Sequence, residues 1–154
     1  MFTRQISVFI ENKIGRLAKV TQILGEYNID ISALSIADTA DFGVLRLIVN
    51  NPGKAKEVLE QQGFAVSVNN VIAIEVDDRP GGLSKVLAIF DKRGIGIEYM
   101  YAFVGYCEPG KALVIIRVEN PEEALAVLQK EDVHIKCPGD VYRNKSINNQ
   151  INIE

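Results

Sequence analysis

Ile6, Val8 and Ile10 are spaced two apart near the start of the chain, and Ile72, Ile74 and Val76 repeat that spacing near its middle. A period of two marks a β-strand with one buried face. After each run the apolar spacing becomes helical, at Leu17, Val20, Ile23 and Leu24, and again at Leu83, Val86, Ile89 and Phe90. Two strands are expected next, over 29–36 and 44–49 in the first half and over 95–104 and 112–118 in the second. Pro52 and Pro121, each preceded by Asn, fit the first turn of short helices running to about Gln62 and Lys130. Closing strands follow at 64–68 and 133–135.

The two halves are copies. Shifted by 66 positions, residues 11–31 fall on 77–97 with seven identities, among them Gly15/Gly81, Leu17/Leu83, Lys19/Lys85 and Val20/Val86. Beyond the hairpin the offset becomes 69, so the second copy holds three extra residues, assigned to the hairpin near 106–111. There Asn51-Pro52 meets Asn120-Pro121, and Ala55, Val58 and Leu59 meet Ala124, Val127 and Leu128. A unit of this length is too long for a solenoid repeat and reads as a duplicated small domain. The fold class is therefore α+β, two tandem ferredoxin-like βαββαβ units, each an antiparallel sheet with helices on one face. Expected boundaries are 1–69, 70–137 and a polar C-terminal tail over 138–154, with a short linker at 67–71.

Positions apolar in both copies are expected to face the helices: Leu34 with Met100, Ile36 with Ala102, Leu45 with Val114, Leu47 with Ile116, Val49 with Val118. The other face differs between copies. It carries Ser7, Phe9, Ala33, Arg46 and Ile48 in the first, and Ala73, Glu75, Tyr99, Tyr101, Leu113 and Ile115 in the second. A face this apolar is expected to be covered, by the other unit or by a second chain.

Charge narrows the partners. Lys and Arg number 17 against 20 Asp and Glu, a net of −3, and neither half carries the positive field that phosphate backbones require. Nucleic acid is not expected. The longest aliphatic run, residues 112–116, is far below the roughly 20 residues of a membrane span. No secretory signal is apparent, and two cysteines, Cys107 and Cys137, are too few for a disulfide framework, so a cytoplasmic protein is expected. His134 and Cys137 lack a second ligand pair, so neither a metal nor another cofactor is expected. No nucleophile stands beside a base, and the chain is expected not to be an enzyme.

What chemistry remains lies where the first strand of each unit runs into a helix: Glu11, Asn12, Lys13, Ile14, Gly15, Arg16, Leu17, and Asp77, Asp78, Arg79, Pro80, Gly81, Gly82, Leu83. Helix N-termini present unpaired N–H groups and partial positive charge, which suits a carboxylate. Glycine there lets a ligand approach the backbone, and Asn12 or Asp78 can take an ammonium group or cap the helix. The same residues also suit a plain strand-to-helix turn.

A βαββαβ unit with an Asn/Asp-x-Pro-Gly-x-Leu loop opening helix one resembles the ACT domain, a regulatory module that typically binds amino acids. The resemblance covers about residues 5–68 and 71–136. Asp78, Pro80, Gly81 and Leu83 match the loop fully; Asn12, Gly15 and Leu17 match it with Ile14 in place of proline. It implies a free-standing tandem ACT protein holding an amino acid or similar small carboxylate at residues 12–17 and 78–83. In such domains a polar residue opening strand two often joins the site. Asp30 stands there in the first unit, Gly96 in the second. The resemblance also implies homo-oligomers, here a dimer, and a partner enzyme as readout. The alternative is an assembly module without ligand, its loops only turns.

Overall fold

The computed structural model describes residues 2–38, 41–103 and 108–143. Cys107, part of the long hairpin, and the chain from 144 on lie outside the described residues. Two compact units result. One is formed by Arg4–Asn69, the other by the described residues from Asn70 on together with Phe2 and Thr3.

The first unit runs β1 (Thr3–Glu11), α1 (Arg16–Glu26), β2 (Ile31–Asp38), β3 (Phe42–Val49), α2 (Pro52–Gln61) and the first residues of β4 (Ala65–Asp77). Its strand order is β2-β3-β1-β4. Ile6 pairs with Leu47 and Val8 with Leu45, while Leu34 and Ile36 lie across from the same two leucines on the other side. This register gathers Ile6, Val8, Leu45, Leu47 and Val49 with Val20, Ile23 and Leu24 of α1 and Ala55, Val58 and Leu59 of α2 into one core. Burying each such aliphatic side chain contributes about 1.5–3 kcal/mol. Asn51 caps α2 by accepting from the Lys54 amide at 3.1 Å.

The second unit repeats the plan with the remainder of β4, α3 (Gly82–Lys92), β5 (Ile97–Ala102), β6 (Lys111–Val118) and α4 (Pro121–Lys130), in strand order β4-β6-β5. Ile72, Ile74, Val114, Ile116 and Val118 pack with Val86, Phe90, Ala124 and Leu128. Asn120 does not cap α4; its amide donates to Glu123 instead.

Three local expectations change. The closing strand at 64–68, the linker at 67–71 and the strand at 72–76 are one strand, β4. The closing strand at 133–135 shrinks to a single bridge, Ile74 to Ile135, with backbone bonds from Glu75 to His134 and from Lys136 to Ala73. Residues 138–143, expected as the start of a tail, form a short helix, α5 (Pro138–Arg143), anchored by buried Val141.

The face assignment holds in register but not fully in burial. Leu34, Ile36 and Met100 share the helix-side face yet stay 53%, 45% and 39% exposed, because β2 and β5 are edge strands. On the opposite face Ser7, Ala33, Ile48, Ala73, Glu75, Leu113 and Ile115 are buried within the chain, whereas Phe9 is half exposed.

Glycine roles divide sharply. A Cβ at Gly82 would collide with the carbonyl oxygen of Asp77, whereas one at Gly25 inside α1 would meet nothing. Gly82→Ala should therefore cost roughly 1–3 kcal/mol, and Gly25→Ala should gain about 0.5–1 kcal/mol. Urea denaturation of the two variants checks both signs.

Candidate functional site

The two β1–α1-type turns share one backbone. Asn12 N–H donates to the Asp41 carbonyl and Asp78 N–H to that of Gly110, both at 2.9 Å. Lys13 bonds Glu11 as Arg79 bonds Asp77; Arg16 bonds Lys13 as Gly82 bonds Arg79. Gly15 and Gly81 close the turns at φ 87 and 85. That left-handed conformation costs an ordinary L-residue about 1–2 kcal/mol. The equivalence of Ile14 and Pro80 follows: among the described residues this position donates no backbone hydrogen bond in either turn, so proline is compatible and not required.

Both helices begin at a left-handed glycine, which as N-cap residue brings no side chain to the first turn. The amides of Leu17 and Ala18, and of Leu83 and Ser84, lie in the first helical turns, where the helix itself supplies no acceptor.

In the first unit the turn walls a cleft of about 260 Å³. Asn12, Lys13, Arg16 and Leu17 line it as expected, joined by Ile10, Glu11, Ile36 and Gly43. Ile10, Ile36 and Gly43 were outside the loop singled out from sequence, and Glu11 was in that loop but not among the expected ligand residues. Strand phase was the available signal, since Ile10 lies opposite Gly43, and Ile36 opposite Leu45, at the strand ends nearest the turn. Ile14 projects into solvent. Asp30 does not join the cleft. It precedes Ile31, which pairs with Val49, whereas the turn adjoins the Asp38–Gly43 end of β2, roughly 23 Å away at about 3.3 Å per residue.

The charges around this cleft are unequally met. Lys13 Nζ lies 3.2 Å from Glu11, but Arg16 Nε is 3.8 Å from the same carboxylate, beyond hydrogen-bond reach. Arg16 Nε is buried without an acceptor, and its guanidinium carbon stands 5.0 Å from the centre of the Phe64 ring. An unmet buried donor costs roughly 1–3 kcal/mol, and because Phe64 is buried, a cation over its ring returns up to about 2 kcal/mol.

The second turn is organised by its own ions. Asp77 accepts from Lys111 and Arg79, each at 2.9 Å. The Lys111 hydrogen bond, then that of Arg79, holds the Asp77 carboxyl below its ordinary range, and Asp77 in turn raises Lys111. A cleft of about 380 Å³ beside this turn includes Gly82 alone of the expected residues, with Lys85, Val133 and His134. His134 is exposed and lies 3.5 Å from buried Glu75, which Lys136 holds at 2.6 Å. Among the described residues no cluster of His, Cys, Asp or Glu has the makings of a metal site, and no helix is long and apolar enough to cross a membrane.

Asp77 favours its charged form in the folded state, so its stabilising contribution is present above its unfolded value and is lost as pH falls below about 4. The melting difference between wild type and Asp77→Asn should thus be widest near neutrality and shrink as pH falls below about 4. A pH-independent difference would show that the ion pairs do not stabilise the turn.

No curated protein matches the chain. Among solved structures, protein BT0572 from Bacteroides thetaiotaomicron is 41% identical, covers 93% of this chain and 97% of its own, and superposes with a TM-score of 0.86. The ligand-free regulatory subunit of aspartate kinase from Thermus thermophilus shares the fold at 20% identity and TM-score 0.60, covering 82% of this chain and 90% of its own. A family model described as an ACT domain pair matches residues 1–140. The repeated βαββαβ plan, the paired glycine turns and that match agree: the chain belongs to the ACT domain pair family, whose domains are regulatory modules.

Proposed function

We propose that the chain is a regulatory binding protein, two ACT-like domains over 1–69 and 70–137, whose ligand is an amino acid or a similar small carboxylate. The observation that carries this reading is the first-unit cleft, where uncapped helix amides, a cationic rim and an apolar floor converge on about 260 Å³. The ligand carboxylate meets the mouth of α1, and its ammonium group meets Glu11 or Asn12. Asp30 has no part in this arrangement. The second turn, residues 78–83, has the same backbone and offers a second carboxylate position at the mouth of α3. No step of the reading needs catalysis; the readout is a partner enzyme, and the working assembly is a homodimer in the cytoplasm.

Exposed Leu34, Ile36 and Phe42 favour a second reading, an assembly module whose apolar edge joins copies of the chain. The two readings separate in one experiment. In a thermal-shift screen against the common amino acids, a ligand at about 100 times its Kd adds roughly 2.7 kcal/mol, or roughly 5–10 °C at this size. A shift confined to a few amino acids, abolished by Gly15→Val with the oligomeric state unchanged, is expected. No shift with any amino acid, together with a mass that falls on Ile36→Asp, would favour the assembly module.

A further inference from the structure

We infer that Arg16 is a mobile carboxylate arm: it leaves Phe64 and turns its guanidinium onto the carboxylate of a small aliphatic amino acid in the first-unit cleft. This rests on the reading of that cleft as the ligand site.

Four observations converge. Arg16 Nε is sealed from solvent with no acceptor, so its resting position leaves a donor unmet, while the side chain as a whole remains 40% exposed and has room to turn. Lys13 and Arg16 share the single carboxylate of Glu11, at 3.2 Å and 3.8 Å, so two cations against one carboxylate give the lining a net of +1. A carboxylate neutralises that excess and accepts from both Nε and Nη, the paired geometry guanidinium groups favour. Ile10, Leu17 and Ile36 supply an apolar wall, which selects an aliphatic side chain over a charged one.

The second copy confirms what is special about the first. Its equivalent of Arg16 is Gly82, where any Cβ would collide with the Asp77 carbonyl oxygen, and its equivalent of Phe64 is the smaller Val133. No arm can be built there, so the chain should take one such ligand.

Calorimetric titration of the full chain with leucine, valine, aspartate and lysine tests this, alongside the melting temperatures of unliganded Arg16→Met and Arg16→Lys. Expected are binding of leucine or valine at one per chain and at least ten-fold weaker binding by Arg16→Met. Arg16→Lys, which keeps the charge and loses the fork, should fall between. Unliganded Arg16→Met should melt no lower than wild type, because the orphaned donor is gone. Wild-type binding that Arg16→Met retains within three-fold would overturn the arm, as would a lower melting temperature for unliganded Arg16→Met, the mark of a structural role over Phe64. Selection of aspartate or lysine would overturn the aliphatic class. Silence of the wild type toward all four would instead overturn the reading of the cleft.

Discussion

A glycine at φ near +85 sits between the first strand and first helix of each unit, and the rest of the site depends on it. The left-handed residue turns the chain within three residues, so the helix starts with no side chain folded back over its end. An N-cap oxygen would satisfy the first amides and close the mouth. Glycine leaves them open beside Ile10 and Ile36, on the helix-side face of the sheet. A carboxylate arriving there finds donors and partial positive charge that require no rearrangement of the backbone.

Duplication then allowed the two turns to part. Both keep the backbone bonds from residue to residue, but their side chains solve different problems. In the second, Lys111 and Arg79 bind Asp77 and the buried glycine packs against that same residue's carbonyl, giving a turn whose charges are met internally. In the first, Arg16 replaces the glycine and Phe64 gives it a ring to rest on, at the expense of one buried donor. One copy is thereby settled and the other poised. A ligand can shift a regulatory module only by as much as it binds one of its states better than another.

Much of the fold was legible in residue spacing. The strands and helices of both units follow from alternation and helical periodicity, because those periods report directly which face is buried. Reading β4 as two strands and a linker overlooked a phase signal: Phe64, Val66, Val68, Ile72, Ile74 and Val76 stay in one even-numbered phase, and the asparagines at 69 and 70 do not break it. The shrinkage of the last strand to a bridge had no such signal, since a short apolar run looks alike whether paired along its length or at one residue. At the site, the turn residues were legible because glycine and proline carry conformational meaning. Ile36 and Gly43 were not, because they arrive from other strands through register. Asp30 shows the opposite failure. Its place by analogy is sound along the sequence, but the antiparallel sheet carries it to the far end of β2. The strain on Arg16 is invisible in sequence altogether, since whether a guanidinium finds an acceptor is settled only by packing.

The claim on which the rest stands is that the open helix mouth of the first unit receives the ligand. Amide chemical-shift mapping of the full chain, titrated with a mixture of the common amino acids, tests it most directly. The account predicts saturable shifts that centre on residues 12–18, extend to Ile36 and Gly43, and leave the far end of β2 around Asp30 unmoved. Shifts centred elsewhere, or a spectrum that does not change, would contradict it.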